Sequence, residues 1–157
     1  MAKKHKHHDN SLVSNRTARR NYTILETFEA GIELKGTEVK ALRDHRGNLT
    51  DSFAKADNGQ VFLFNMHISP YDKGNRFNHD PLRMRRLLLH KREIARVEAL
   101  TERKGMALIP LKLYLKRGRV KVELAVAQGK MQYDKREDIK KREHNLEIQR
   151  AVSKVGT

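Results

Sequence analysis

Residues 111–126, LKLYLKRGRVKVELAV, alternate apolar and polar side chains on both sides of the dipeptide Arg117-Gly118. A period of two places the apolar side chains of a strand on one face, and a two-residue break that contains glycine is typical of a tight hairpin turn. The stretch therefore predicts two antiparallel strands with one face in a protein core. The predicted core residues are Leu111, Leu113, Leu115, Val120, Val122, Leu124 and Val126.

The opposite face of this hairpin is predicted to be basic. Its residues are Lys112, Tyr114, Lys116, Arg119, Lys121, Glu123 and Ala125. Side chains that oppose each other on paired strands lie within a few ångströms, so the cations would form a strip with an aromatic ring among them. Such a strip suits the phosphate backbone of a nucleic acid. The alternative is a solvated outer face without a ligand.

Three further strands are predicted upstream. From Tyr22 to Leu34 apolar residues occupy the even positions, with Glu26 as the exception, which indicates one long strand. Gly31 within it favours a bulge or a sharp bend. Residues 52–56 and 60–66 read as two short strands joined by Asp57-Asn58-Gly59, because Asn-Gly is a strong hairpin signal.

Three helices are predicted as well. The first begins at Gly36-Thr37-Glu38, with Thr37 as its N-cap, and is expected to end near Gly47. The second covers residues 82–89, with Asp80 as N-cap and Pro81 in the first turn.

The third predicted helix runs from about Lys91 to Lys104 and is stopped by Gly105. Its buried face would carry Ile94, Val97 and Leu100. Residues 67–79 form a long polar loop, and loops of that length in compact domains tend to be functional or disordered.

These elements predict a mainly β fold with helices. We expect a small closed or partly open antiparallel β-barrel, similar to the oligonucleotide-binding fold, with about three flanking helices and a disordered C-terminal tail. Residues 1–14 are predicted to be a basic flexible arm, residues 15–130 the β-barrel body that binds RNA, and residues 131–157 the tail.

The composition favours a nucleic-acid partner. The 157 residues carry a formal net charge of +15, and so large a charge opposes compaction unless a polyanion neutralises it. An anionic membrane is the competing partner, but no continuous helix with opposed basic and apolar faces is evident. The absence of cysteine excludes disulfides and thiolate zinc sites. No targeting or membrane-spanning stretch is evident, so we expect a cytoplasmic protein.

The tail is charged at nearly every step and has few apolar residues. Ile139, Leu146, Ile148, Ala151 and Val152 are too sparse for the apolar stripe of a packed helix. Its residue types nevertheless favour helix, so the tail is predicted to be disordered alone and helical when bound to a partner. The alternative is a helix packed on the body through Ile139 and Leu146.

Several strings of the chain occur together in a known family. They are ETFEAGI at 26–32, GTEVK at 36–40, NMHISPY at 65–71, NHDP at 78–81, LLLHK at 87–91, PLKL at 110–113 and YDKRE at 133–137. In this collinear order they resemble the SmpB family of SsrA-binding proteins, over roughly residues 12–150.

The resemblance implies a role in bacterial ribosome rescue by trans-translation. Its members bind the tRNA-like domain of transfer-messenger RNA and accompany it, with elongation factor Tu and GTP, to ribosomes that have stalled without a stop codon. They are binding proteins without catalysis, so no cofactor and no metal are expected. The implied ribosomal contacts are the decoding centre of the small subunit and the empty mRNA channel. We expect a monomer that makes no contact with membranes.

The site residues follow from the hairpin and the resemblance together. The predicted RNA contacts are Asn15, Arg16, Arg19, Glu29, Lys40, Arg43, Asn48, His67, Leu88, His90, Lys91, Lys112, Lys116, Arg119, Lys121 and Lys130. The predicted ribosome contacts in the tail are Tyr133, Asp134, Lys135, Arg136, Lys140, Lys141 and Arg142.

Three positions depart from the family pattern. Thr17 stands where a lysine is usual, which removes one cation from the segment that holds Asn15, Arg16 and Arg19. Gln128 and Met131 replace lysines before the tail, so phosphate contact there is expected to be weaker.

Glu29 is an unusual residue for an RNA site. Its carboxylate can accept a hydrogen bond from a base, or it can orient a neighbouring Arg or Lys that holds phosphate. The alternative is an exposed strand acid with no role.

Two other functions remain open at this point. A ribonuclease would use a pair of histidines, such as His67 and His79, as acid and base, with Lys91 on the transition state. A structural ribosomal protein would share the fold. A metal site at His67, His79 or His90 is disfavoured, because no two of them have helical ligand spacing and no cysteine joins them.

Overall fold

The computed structural model of the chain describes residues 10–71 and 78–130, with the single positions 144 and 148. Its strands are β1 (Ser11–Ser14), β2 (Tyr22–Ile32), β3 (Gly47–Asn48), β4 (Phe53–Asp57), β5 (Gln60–Phe64), β6 (His67–Ile68), β7 (Arg85–Leu88), β8 (Met106–Lys116) and β9 (Arg119–Gly129). Its helices are α1 (Ala18–Asn21), α2 (Gly36–Arg43) and α3 (Lys91–Thr101).

Six of the strands form a closed antiparallel ring. The hydrogen-bonded order is β8, β4, β5, β7, β2 and β9, and β9 pairs again with β8. β1 lies beside β8, whereas β3 and β6 form a separate two-stranded sheet. The mainly β, antiparallel fold with three helices among the described residues confirms the predicted fold class. The predicted disorder of the tail lies outside the described residues.

The interior of the ring is the main core. Leu63, Leu113 and Leu124 are completely buried there together with Val97 of α3. Ile94 and Leu100 pack against the same cluster, which confirms the predicted apolar face of α3. α3 ends at Thr101, and Gly105 follows with a φ of 81° in the left-handed region that favours glycine.

Both predicted hairpins are confirmed, since β4 pairs with β5 and β8 pairs with β9. The residues of each turn themselves determine the turn conformation. Asn58 and Gly59 have φ values of 49° and 75°, and Arg117 and Gly118 have φ values of 51° and 75°. Two successive residues with positive φ match the right-handed twist of the flanking strands. Each strand of the β8–β9 hairpin is eleven residues long.

Bulges in β2 and β8, the strands that pair with β9, separate the buried side chains into two clusters. The register shifts between Ile24 and Glu26 in β2 and between Pro110 and Lys112 in β8. As a result Leu111 packs in a second buried cluster outside the ring, with α1, and not with Leu113 as the alternation predicts. The members of this cluster are Ala18, Ile109, Leu111, Ala125 and Ala127, with Tyr22, Ile24 and Ala107 at its border.

Of the two predictions for Gly31, a bulge or a sharp bend, the bulge is wrong. The β2–β9 register is continuous there, and Gly31 instead stands where β2 pairs with β9 on one side and with β7 on the other. A Cβ at this position would approach the Leu88 Cβ to 3.3 Å, so glycine allows β7 to lie close.

The predicted helix over residues 82–89 is also wrong, because most of it is a turn followed by β7. Arg85 and Leu87 are buried while Arg86 and Leu88 are exposed, which is strand alternation with an arginine on the inner face. Asp80 does not cap a helix. Its Oδ1 accepts a hydrogen bond from the Leu82 backbone N–H at 3.0 Å in the turn before the strand.

The start of α2 also differs from the prediction. Lys35 and not Thr37 is the N-cap residue, and the helix ends at Arg43. The Thr37 hydroxyl instead forms a 2.9 Å hydrogen bond with His79 Nδ1. Glu38 lies in the first turn as predicted, and its Oε1 accepts from the Lys35 backbone N–H at 2.8 Å.

Two elements near the start of the described chain were not predicted from the sequence. Ser11–Ser14, at the end of the predicted arm, form β1 and pair with β8, with Leu12 and Val13 buried. Residues 18–21, for which no helix is predicted, form α1.

No helix among the described residues is long and apolar enough to cross a membrane.

A buried ion pair joins α2 to β7. Glu38 and Arg85 are both 0% exposed, and Arg85 Nε donates to Glu38 Oε2 at 2.5 Å. Arg85 Nη1 also donates to the Met66 carbonyl at 2.6 Å, and Arg83 Nη2 donates to Glu38 Oε1. Burial opposes ionisation of Glu38, but the hydrogen bonds from Arg83, Lys35 and Arg85 outweigh it and lower its pKa.

We expect Glu38→Gln to destabilise the folded protein by about 3–5 kcal/mol, because it leaves the Arg85 charge buried without a counterion. Urea unfolding at neutral pH measures the effect. Glu33→Gln is the matched control, since Glu33 is exposed and only 3.9 Å from the Arg86 guanidinium, and it should change stability by no more than about 0.5 kcal/mol.

The same ion pair predicts how the free energy of unfolding changes as the pH falls. Because the folded pKa of Glu38 is lowered, its contribution is present above the unfolded pKa of about 4.3 and is lost as the pH falls through the folded pKa. The difference between the wild type and Glu38→Gln should therefore shrink on acidification. A difference that stays constant between neutral pH and pH 3 would contradict this assignment.

Candidate nucleic-acid interface

The outer face of the β8–β9 hairpin carries the predicted cationic strip. The register places Lys116 opposite Arg119, Tyr114 opposite Lys121 and Lys112 opposite Glu123. Lys112 Nζ lies 5.6 Å from the centroid of the Tyr114 ring and 3.7 Å from Glu123 Oε2. The strip is therefore assembled as the alternation predicts, with cations on both sides of one aromatic ring.

Glu29 on β2 joins this strip from the far side of β9. Its carboxylate Oε2 accepts a 2.5 Å hydrogen bond from the Tyr114 hydroxyl, and Lys116 Nζ lies 3.1 Å from Oε1 and 3.2 Å from Oε2. The Tyr114 hydroxyl and the Lys116 ammonium lower the pKa of Glu29 through these hydrogen bonds. The Glu29 carboxylate is thus ordered by two donors of β8 while its side chain stays 41% exposed.

Tyr114 is held as a neutral hydrogen-bond donor. Partial burial and the hydrogen bond to Glu29 both raise the pKa of its hydroxyl. The ring is half-buried among the strip side chains, so its hydroxyl donates to a carboxylate while its face meets the Lys112 ammonium. Tyr114 thus connects the cationic residues of β8 to the acidic residue of β2.

The segment from Leu88 to Lys91 borders the same surface. Leu88 pairs with Gly31 on the outer side of β2, and its side chain is 46% exposed. His90 precedes α3, and its backbone N–H donates to Glu93 Oε1 at 3.2 Å. A shallow depression extends over Gly31, with Glu29 and Lys121 on one side and Leu88 and His90 on the other. The predicted RNA contacts of β2, β7, β8 and β9 are therefore contiguous.

A second group of predicted residues lies on the small sheet and α2. Asn48 of β3 is directly opposite His67 of β6, and both side chains are exposed. Lys40 and Arg43 are exposed on α2, and Lys40 Nζ lies 5.6 Å from the centroid of the Tyr71 ring. α2 packs on β6, so these residues belong to one neighbourhood.

The segment before β2, which holds the predicted RNA contacts Asn15, Arg16 and Arg19, is tied to β8 by Asn15. Asn15 Nδ2 donates to the Pro110 carbonyl at 3.0 Å, and Thr17 Oγ1 donates to Asn15 Oδ1 at 3.3 Å. Asn15 is thus engaged in holding this segment to β8, while Arg16 and Arg19 are exposed. Lys130 follows the last residue of β9 and is half-buried.

The predicted ribosome contacts of the tail lie outside the described residues. They are Tyr133, Asp134, Lys135, Arg136, Lys140, Lys141 and Arg142. The position of Met131 is likewise not described, whereas Gln128 is exposed at the end of β9.

Two residues of the interface were missed by sequence reasoning. Arg117 lines a depression together with Glu29, Lys116, Arg119 and Lys121, although it was treated only as a turn residue. Gly31 was interpreted as a bulge or a sharp bend, and its place in the depression beside Leu88 was not predicted. The position of Arg117 in a turn next to four cations could have predicted its place on this surface. No local sequence feature could have predicted the place of Gly31, because it depends on how β7 packs.

His67 and His79 do not form the catalytic pair that the ribonuclease alternative requires. His79 is 4% exposed, its Nδ1 is bonded to the Thr37 hydroxyl, and its Nε2 lies 2.8 Å from the Ile68 carbonyl oxygen. Both ring nitrogens are engaged inside the protein, so His79 cannot exchange a proton with a bound phosphodiester. Within residues 10–71 and 78–130, no three His, Asp or Glu side chains converge as metal ligands.

Comparison with known proteins gives consistent matches over nearly the whole chain. A family model described as SmpB protein matches residues 12–154. An SsrA-binding protein of Caldicellulosiruptor bescii is 59% identical over 153 residues, which cover 97% of this chain and 97% of the relative. An SsrA-binding protein of Geobacillus thermodenitrificans is 59% identical over 140 residues, which cover 89% of this chain and 90% of the relative.

A solved structure matches the fold as well. A chain from the structure described as "tmRNA-SmpB: a journey to the center of the bacterial ribosome" superposes with a TM-score of 0.66 and 52% sequence identity. The match covers 78% of this chain and 86% of that chain.

We expect Arg119→Ala to weaken binding of a structured RNA and to reduce the slope of log Kd against log salt concentration by about 0.7–0.9, the value for one lost phosphate contact. Lys104→Ala is the matched control, because Lys104 is exposed just before the start of β8, whereas Arg119 is opposite Lys116 at the end of that strand. Fluorescence anisotropy over a series of salt concentrations measures both. Equal effects of the two variants would mean that the strip acts only through net charge.

Proposed function

The chain belongs to the SmpB protein family, and we propose that it binds the tRNA-like domain of transfer-messenger RNA and delivers it to stalled ribosomes for trans-translation. The observation that carries this function on the molecule itself is the contiguous surface of β2, β7, β8 and β9, where cations surround the Glu29 carboxylate. The proposal is a binding function without a catalytic step.

The mixture of charges on this surface suits a specific RNA. Cations such as Lys112, Lys116 and Arg119 attract any phosphate backbone and provide affinity that depends on salt. A carboxylate among them repels phosphate and accepts hydrogen bonds from bases or 2′-hydroxyls, so Glu29 favours one position of one folded RNA over others. Affinity and discrimination thus come from different residues of the same surface.

The group around β3, β6 and α2 is the second part of the proposed RNA contact. Asn48 and His67 present polar side chains side by side, and Lys40 and Arg43 add positive charge beside them. A folded RNA is recognised largely by its shape, which requires contacts at separated points on a rigid body. The closed ring supplies that rigidity, because it leaves few free strand edges.

The tail is the proposed ribosomal contact. We assign Tyr133, Lys135 and Arg136 to the decoding centre, and the cations that follow them to the empty mRNA channel. A charged segment that becomes ordered only inside an unoccupied channel would report that no message is present, because a message already in place excludes it. Delivery is proposed to occur as a monomer, in a complex with elongation factor Tu and GTP.

Selective RNA binding tests the function of the body. We expect the full chain to prefer the tRNA-like domain of transfer-messenger RNA over ordinary tRNA of similar length by more than about tenfold, and to keep this preference as salt rises. Equal affinities that fall together with salt would mean generic phosphate binding and would favour the ribosomal-protein alternative.

Tagging of incomplete proteins tests the division between body and tail. The double variant Lys135→Ala with Arg136→Ala should keep its affinity for the tRNA-like domain within about threefold, since the ring surface is unchanged, and should abolish tagging in a reconstituted translation system. Arg103→Ala with Lys104→Ala removes the same two charges from the exposed segment after α3 and should retain tagging. A tail variant that loses RNA affinity and keeps tagging would reverse the assignment.

A further inference from the structure

The Glu29 carboxylate is held from one side by two donors that both come from β8. Tyr114 donates to Oε2, and Lys116 bridges Oε1 and Oε2. Tyr114 lies on the strand beyond β9, so the Glu29 side chain crosses the outer face of β9 to reach it. Glu29 is nevertheless 41% exposed, so this arrangement orients the carboxylate without burying it.

The strand register explains why the Glu29 side chain extends across β9 toward β8. Glu29 is directly opposite Glu123 on β9, and like charges in that position repel each other. Glu123 is paired with Lys112, and Glu29 is paired with Lys116 and Tyr114. Each of the two carboxylates therefore interacts with its own donors on β8. This favours the orientation in which Glu29 points toward Tyr114 and Lys116.

The depression beside Glu29 is shaped to receive a small group. Gly31 lies two residues further along the same face of β2, and the absence of a side chain there leaves a gap between Leu88 and Lys121. Leu88 and Leu89 give the depression an apolar side, and its polar lining consists of Glu29, His90, Glu93 and Lys121. An apolar wall, a cation and a carboxylate together suit an unstacked nucleobase better than a phosphate group.

The hydrogen bonds leave part of the carboxylate available. An ionised carboxylate has about four acceptor positions on its two oxygens. Among the described residues Oε2 accepts from both Tyr114 and Lys116, whereas Oε1 accepts only from Lys116. Oε1 thus retains acceptor capacity for an N–H or O–H group of a ligand.

We propose that Tyr114 is a positioning residue for RNA recognition: its hydroxyl orients the Glu29 carboxylate so that Oε1 accepts a hydrogen bond from a base N–H or a 2′-hydroxyl placed in the depression over Gly31. This inference rests on the proposed RNA-binding function and assigns selectivity to a residue that does not itself touch the RNA. Without the hydroxyl, Glu29 is held only by the flexible Lys116 side chain and loses its orientation.

A double-mutant cycle on RNA affinity tests the proposal. The variants are Tyr114→Phe, Glu29→Gln and their combination, with full-length protein and the tRNA-like domain of transfer-messenger RNA as the probe. Tyr114→Phe retains the ring that packs beside Lys112 and removes only the hydroxyl. Glu102→Gln is the matched control, because it removes one acidic charge from an exposed residue at the C-terminal end of α3, away from Tyr114 and Lys116.

We expect Tyr114→Phe to weaken binding about tenfold and to leave the salt slope unchanged, because no phosphate contact is lost. In the Glu29→Gln background the same change should have no further effect, since the group that it positions is already altered. Glu102→Gln should bind like the wild type. Thermal unfolding midpoints that agree among the variants exclude a change of fold as the cause.

Three results would overturn the positioning role. They are unchanged affinity of Tyr114→Phe, losses for Tyr114→Phe and Glu29→Gln that simply add, or a reduced salt slope for Tyr114→Phe. Failure of the proposed function has a different signature, because the wild type itself would then show no preference for the tRNA-like domain over ordinary tRNA.

Discussion

The ion pair between Glu38 and Arg85 is the constraint on which the rest of the structure depends. Both side chains are completely buried, so neither charge can be stabilised by water. The hydrogen bonds to the Met66 carbonyl and from the Lys35 N–H satisfy the remaining groups of the pair. Because removing either partner leaves an isolated buried charge, α2, β7 and the chain before β6 must be placed together.

This interior pair also determines what the outer surface presents. Successive side chains of a strand point to opposite faces, so an inward Arg85 requires that Leu88 point outward. β7 lies beside β2 at Gly31, where the missing side chain permits the close approach. The apolar wall next to Glu29 is therefore a consequence of a charge buried in the core.

The two bulges explain why the outer face of the β8–β9 hairpin differs between its two ends. Beyond the register shifts, Ile109, Leu111 and Ala125 are buried outside the ring, and α1 covers them. Toward the turn, the outer face carries cations and remains open to solvent. One hairpin thus contributes to two buried clusters and to the proposed RNA-binding surface, which lies at the end of β9 opposite the start of the tail.

The sequence alone determined the features that depend on neighbouring residues. The two hairpins, the cationic strip and the apolar face of α3 follow from turn residues and from periods of 2 and 3.6, and the family strings identified the chain. Tertiary structure decided the rest. β7 was mistaken for a helix because the buried Arg85 interrupts its apolar alternation, and the residue that makes an inward arginine possible is Glu38, 47 positions away. The same holds for Gly31 and Leu111, whose surroundings are set by β7 and by a bulge. Partners distant in the chain are invisible to local pattern, because burial, pairing and register are settled only when the ring closes.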